Sequence, residues 1–197
     1  MREAGHFREA DIDRVRELVS IGAGHAATAL AELTGRTCEM QVPTVRMLEA
    51  GQTDAALPYE PGLTGVMFEL EGGTGGVLAL LFPAATCERL LERLLGPGRA
   101  RRRDENARSA LCELGNILAS HAANAVAETL GVAVLPSLPM LALDDAPAAL
   151  ADLLAAHSRA GPTLRIQTEI TDRARELRGI LVLVPDTLAR IAPAVGF

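Results

Sequence analysis

Ser109, Glu113 and Asn116 stand four and then three residues apart, a spacing that puts a hydroxyl, a carboxylate and a carboxamide on one face of any helix that carries them. Together they can donate and accept hydrogen bonds and carry one negative charge. A stripe of this kind is also what the wet face of an amphipathic helix looks like, because Leu111, Leu114, Ile117 and Leu118 supply an apolar side. Repetition weighs against that plain reading. Asp13, Glu17 and Ser20 form the same pattern 96 residues earlier, with the carboxylate kept and a small polar group kept at the first position.

Other chemistries find less support. Ser20 has no base near it in sequence to make it a nucleophile. His25 and His121 repeat, but neither has a second ligand at metal spacing, and both are expected as core or interface histidines on the small, packed side of their helices. Gly22-x-Gly24-x-x-Ala27 matches a loose dinucleotide fingerprint, yet no strand precedes it, so the pyrophosphate site is missing. Cys38, Cys87 and Cys112 match no zinc spacing, and their odd number suits reduced thiols.

The elements that must position these residues also come in pairs. Helical apolar spacing runs from Asp11 to Thr34, with Gly35 as C-cap, and again from Glu105 to Leu130, with Gly131. The register holds without a gap through Ala23/Ala119, Ala26/Ala122, Ala27/Ala123 and Pro43/Pro139. These small residues predict two helices that approach closely about a pseudo-twofold axis. Each is followed by an extended piece, Thr37–Met47 or Val132–Met140, where Pro43 and Pro139 suit an edge or a strand end. Apolar runs then pair as hairpins, Gly65–Leu70 with Gly76–Phe82 and Thr163–Ile170 with Gly179–Val184.

Pro83 and Pro185 lie 102 residues apart, so the second copy carries six extra residues, expected within Asp144–Gly161. Helix Ala84–Leu95, with Cys87, Leu90, Leu91 and Leu94 as its stripe, closes the first copy, and its counterpart after Asp186 is expected to be cut short by Pro193. The arginines of Gly96–Arg103 read as a solvated join, and Arg173 and Arg175 as solvated turn residues. The fold class predicted is α/β of the α+β kind: a pseudo-twofold duplicated unit with two long helices on a mostly antiparallel sheet. The whole of 1–197 is expected to be a single domain made of two repeats, about 11–98 and 104–197.

A net charge of −6, a pI near 5.3, no Trp and one Tyr argue against nucleic acid as a partner. The charged N-terminus lacks the apolar core of a signal peptide, and no run of about 18 apolar residues suggests a membrane span. A cytoplasmic protein with no membrane partner is expected.

The pattern Asp/Ser-x3-Glu-x2-Asn, followed by 22 residues and Pro, in two copies, resembles the CheC/CheX/FliY phosphatases of bacterial chemotaxis, and the layout without a further switch domain points to CheC. The second copy matches in full, with Ser109, Glu113, Asn116 and Pro139, and the segments IGAGHAATAL, ELGNIL and GVAVLPSLP stand where that family has similar stretches. The resemblance implies a CheC-like fold and hydrolysis of the phosphoaspartate on a CheY-like response regulator. Asn116 would orient the attacking water, Glu113 would hold the partner's lysine, Ser109 would be an accessory contact, and Pro139 would set the strand against the helix. No cofactor or metal of the chain's own is implied, since Mg2+ is expected on the response regulator.

The first copy keeps Asp13, Glu17 and Pro43 but has Ser20 at the asparagine position, so it is expected to be weak or inactive and still able to dock through Glu17. The rival expectation is a non-catalytic adaptor that binds a response regulator or a CheD-type receptor deamidase. A piece of a flagellar switch is a third.

Overall fold

A computed structural model of the chain describes residues 9–48, 60–73, 75–98, 104–157 and 163–186. Helix α1 (Glu9–Thr34) leads into strands β1 (Cys38–Met40) and β2 (Thr44–Leu48), then the hairpin β3 (Thr64–Gly72) and β4 (Gly76–Phe82), then helix α2 (Ala84–Leu95). The order recurs as α3 (Glu105–Leu130), β5 (Val134–Pro136), β6 (Met140–Ala142), helix α4 (Ala146–Ala156), and the hairpin β7 (Thr163–Asp172) and β8 (Arg178–Val184). Both long helices end as expected. Gly35 and Gly131 each take a left-handed φ of 64°, and the amides of Arg36 and Val132 reach back to the carbonyls of Ala31 and Ala127, closing a Schellman turn in each copy.

Among the described residues, strands β1 to β8 form one sheet in which every pairing is antiparallel. Its middle is β7-β8-β4-β3, and each outer strand pair crosses between copies. β1 and β2 of the first copy pair with β7 of the second, whereas β5 and β6 of the second pair with β3 of the first. The exchange is symmetric residue by residue: Met40 faces Ile170 as Pro136 faces Leu70. The expected hairpins are present, each running slightly longer than its apolar run.

This register corrects the expected insertion. From Leu70 to Ile170 the copies are already 100 residues apart, so four of the extra residues lie between β6 and β7, and the other two lengthen the turn from β7 to β8. The stretch holding the four is not a bare insertion but α4, whose Ala146 and Leu150 are fully buried. Residues 99–103 of the arginine-rich join and the segment containing Pro193 lie outside the described residues.

Strands β3, β4 and β8 read as continuous apolar runs because both faces of the sheet are covered. Val66, Phe68, Leu78, Leu80 and Phe82 meet α1, α2 and α3 on one face. Met67, Val77, Ala79, Leu81, Ile180 and Val182 meet α4 on the other. The long helices pack on each other more extensively than on any other described element. A methyl at Gly22 would lie 3.0 Å from the carbonyl oxygen of Ala122, which is the close approach the small residues predict.

His25 and His121 contradict the expectation made for them: both are exposed. The packed side of each helix is filled by Ala23, Ala26 and Ala27 or Ala119, Ala122 and Ala123, and the histidines stand outside that arc.

Candidate functional site

Helix α3 is held flat on the sheet by Leu111, Leu114 and Leu118, each at most 2% exposed. Burying one such leucine contributes roughly 1.5–3 kcal/mol. That anchoring turns Ser109, Glu113 and Asn116 together onto the solvent side, all three exposed. Gly115 sets the height of this face above the sheet. A methyl there would lie 2.5 Å from Cγ1 of Val66, so α3 and β3 meet with nothing between them at the centre of the motif.

Val66 also pairs with Leu141 of β6. The edge strand that begins directly after Pro139 therefore runs beside α3 at the level of Gly115. The link from β5 to β6 is fastened by Ser137, whose amide donates to the carbonyl of Glu69 (2.8 Å) and whose hydroxyl accepts from the Glu69 amide (3.0 Å). Beyond that fastening Leu138 projects into solvent, 86% exposed.

A shallow depression lies at the N-terminal half of the stripe, lined by Leu95, Asn106, Ser109, Ala110 and Glu113, with Asn116 one turn beyond it. Asn106 was not among the residues the sequence singled out. Its signal was available, because it stands three residues before Ser109 and so shares its face.

The two copies use their polar groups differently. Among the described residues the side chains of Glu113 and Asn116 have no hydrogen-bonding partner and face solvent. In the first copy, Ser20 donates its hydroxyl to the carbonyl of Arg16 (2.8 Å), and the Arg16 guanidinium pairs with Asp13 (2.5 Å). Glu17 is exposed like Glu113, and Pro43 is buried where Pro139 is half-buried. The chain thus places all eight candidate residues at equivalent positions in two sets, of which only the second keeps its carboxamide.

Cys112 stands directly before Glu113 on α3 and is half-buried. Burial pushes the Cys112 thiol up from its ordinary range, against the pull of Arg108, and burial likewise raises Cys38. Among the described residues no group of three or more His, Cys, Asp or Glu side chains is arranged to hold a metal ion. Nor is any described helix long and apolar enough to cross a membrane.

The model of the CheC-like family matches residues 13–47 and 107–139, the two stretches that run from the start of each polar stripe to beyond Pro43 and to Pro139. Over these two stretches the chain is similar to that family. Over 188 residues it is 29% identical to the CheY-P phosphatase CheC of Bacillus subtilis (strain 168), covering 91% of this chain and 90% of that protein. In fold, the chain is similar to Thermotoga maritima FliY, with a TM-score of 0.72 at 19% identity over 96% of this chain and 98% of the other. It is also similar to the FliM of the H. pylori FliM-SpeE complex, with a TM-score of 0.69 at 13% identity over 98% and 100% of the chains. CheX from Desulfovibrio desulfuricans gives 0.60 at 12% identity over 86% and 99%. The three structures share with this chain an α+β fold, helices on an antiparallel sheet.

Proposed function

We propose that this chain hydrolyses the phosphoaspartate of a CheY-like receiver domain, using the second copy's stripe on α3. The observation that carries the reading is the contrast between copies: Glu113 and Asn116 are exposed and uncommitted, whereas in the first copy Glu17 is exposed but Ser20 and Asp13 are tied to their own helix through Arg16. The likeness to the CheY-P phosphatase CheC supports the substrate class.

The chemistry suits a site without a strong base. A phosphorylated receiver brings its own Mg2+ and lysine as parts of the substrate, so the phosphatase has to supply an oriented water. The Asn116 carboxamide accepts a hydrogen bond from that water and donates another, holding its oxygen in line with the aspartyl P–O bond. Water oxygen bonds to phosphorus as the aspartyl oxygen leaves. The leaving carboxylate has an ordinary pKa near 3.9, so it departs as the anion and needs no general acid. Glu113, one turn earlier, pairs with the receiver's lysine and sets the docking distance. Ser109 adds a hydrogen bond at the mouth, and Pro139 fixes the start of β6 beside the helix.

The adaptor reading has one observation in its favour, that the same fold occurs in FliM, solved in complex with SpeE. In that reading the face would bind a receiver or a CheD-type deamidase without turning over. Following the decay of a phosphorylated CheY-type receiver in Mg2+ separates the two. A phosphatase shortens the lifetime at substoichiometric amounts of the chain, and an unchanged lifetime alongside measurable binding would leave the adaptor.

A further inference from the structure

We infer that the depression at the start of the α3 stripe is a specificity site, which takes a second basic side chain of the receiver and uses Asn106 to select it; this rests on the function proposed above. Asn106 lengthens the stripe by one turn. Asn106, Ser109, Glu113 and Asn116 follow one another at spacings of three, four and three residues, and all four are exposed on one face of the helix. A carboxamide therefore stands at each end, with a hydroxyl and a carboxylate between them.

The first copy marks both ends as special. At the four equivalent positions it has Ala10, Asp13, Glu17 and Ser20, so the two central groups stay polar and neither carboxamide has a counterpart. Asn116 has its use in aligning the attacking water. Asn106 cannot share that use, because ten residues at 1.5 Å rise place it about 15 Å away along the helix axis, beyond reach of the same phosphoryl group. Nor does it cap the helix. Asp104 is the N-cap, and the Asn106 side chain has no hydrogen-bonding partner among the described residues.

The depression beside Asn106 has a volume of about 410 Å3, room for a long side chain. Half-buried Leu95, the last residue of α2, and half-buried Ala110 give it an apolar floor. Asn106, Ser109 and Glu113 edge it with oxygens that accept hydrogen bonds, and among the described residues no cationic side chain lines it. Glu105, one turn before Ser109, adds an exposed carboxylate at the same end. An aliphatic stem with a cationic tip fits both parts, the stem on Leu95 and Ala110 and the head among the oxygens. Glu113 can serve this group and the lysine beside the phosphoaspartate together, since a carboxylate offers about four acceptor positions.

The test measures kcat and KM of the full chain for a phosphorylated CheY-type receiver whose decay it accelerates, with Asn106→Ala, Asn106→Asp and Asn106→Lys beside wild type. Because the side chain is exposed, Tm should not change. KM is expected to rise about fivefold in Asn106→Ala, to rise at least about tenfold in Asn106→Lys and to fall in Asn106→Asp, with kcat constant within about twofold. Alanine substitution of the receiver's surface lysines and arginines is expected to find one, apart from the phosphorylation-site lysine, whose loss raises KM for wild type and not for Asn106→Ala. A KM indifferent to the charge at position 106, or coupling of Asn106 to the phosphorylation-site lysine alone, would overturn the inference and leave the phosphatase reading standing. If the decay of no receiver is accelerated, that reading falls and this one with it.

Discussion

Gly115 rests directly on Val66, with no room for a single methyl between α3 and β3. The contact lies between Glu113 and Asn116 in sequence, so it fixes how far both side chains stand above the sheet. Gly115→Ala must push the helix outward or deform Val66, and overpacking of this kind costs about 1–3 kcal/mol. The expected outcome is a lower Tm together with a fall in kcat, and Val66→Ala in the same chain should recover part of both. Wild-type Tm and turnover in Gly115→Ala would show that the helix has slack at this point.

Ser20 supplies the complementary experiment. Ser20→Asn replaces a hydroxyl bonded to Arg16 with a carboxamide that reaches past the helix backbone, which gives the first copy the group it lacks. In an Asn116→Ala background the substitution is expected to restore measurable hydrolysis, below that of the natural second site because Asp13 remains engaged by Arg16. No gain in phosphate release from the double variant would mean that the first copy is unfit for more reasons than Ser20.

Asp172 provides a pH test of the fold independent of the site. Burial by itself would raise its pKa, but hydrogen bonds from the Leu177 amide, the Arg36 guanidinium and the Glu176 amide outweigh that and hold the carboxyl below the usual range. A carboxylate depressed in the folded state contributes stability that is fully present above its unfolded pKa, near 3.9, and is lost as pH falls through the folded value. Asp172→Asn should therefore be less stable than wild type at neutral pH by about 1–3 kcal/mol, for its weakened hydrogen bonds to Arg36 and the turn. The Tm difference should hold steady above about pH 5 and shrink below about pH 4. A difference independent of pH would mean that the charge on Asp172 contributes nothing.

Much of this was legible in the sequence because the chain states it twice. The limits of α2 and α3, the glycine caps, the two hairpins and the exposure of Ser109, Glu113 and Asn116 follow from periodicity and spacing. What was missed lay where composition masked pattern. Helix α4 carries Ala146, Leu150, Leu153 and Leu154 at helical spacing, but its alanines and flanking aspartates resemble a linker, and its seat is made by the absence of a side chain at Gly65, where a methyl would lie 2.7 Å from Cβ of Ala146. The histidines fall outside the packed side because the alanines beside them fill a narrower arc than the run of small residues suggests. The exchange of edge strands between copies could not be read at all, since β1 and β5 are three residues each and their partners are remote in sequence.

The central claim is that Asn116 directs the water that attacks the receiver's phosphoaspartate, and comparison of wild type with Asn116→Ala tests it most directly. Decay of a phosphorylated CheY-type receiver in Mg2+ would be followed with each protein, alongside binding of the beryllofluoride-activated receiver. The account predicts that Asn116→Ala loses the accelerated decay, by at least about 100-fold for loss of an oriented nucleophile, while receiver affinity changes little. Decay accelerated equally by both proteins would contradict it.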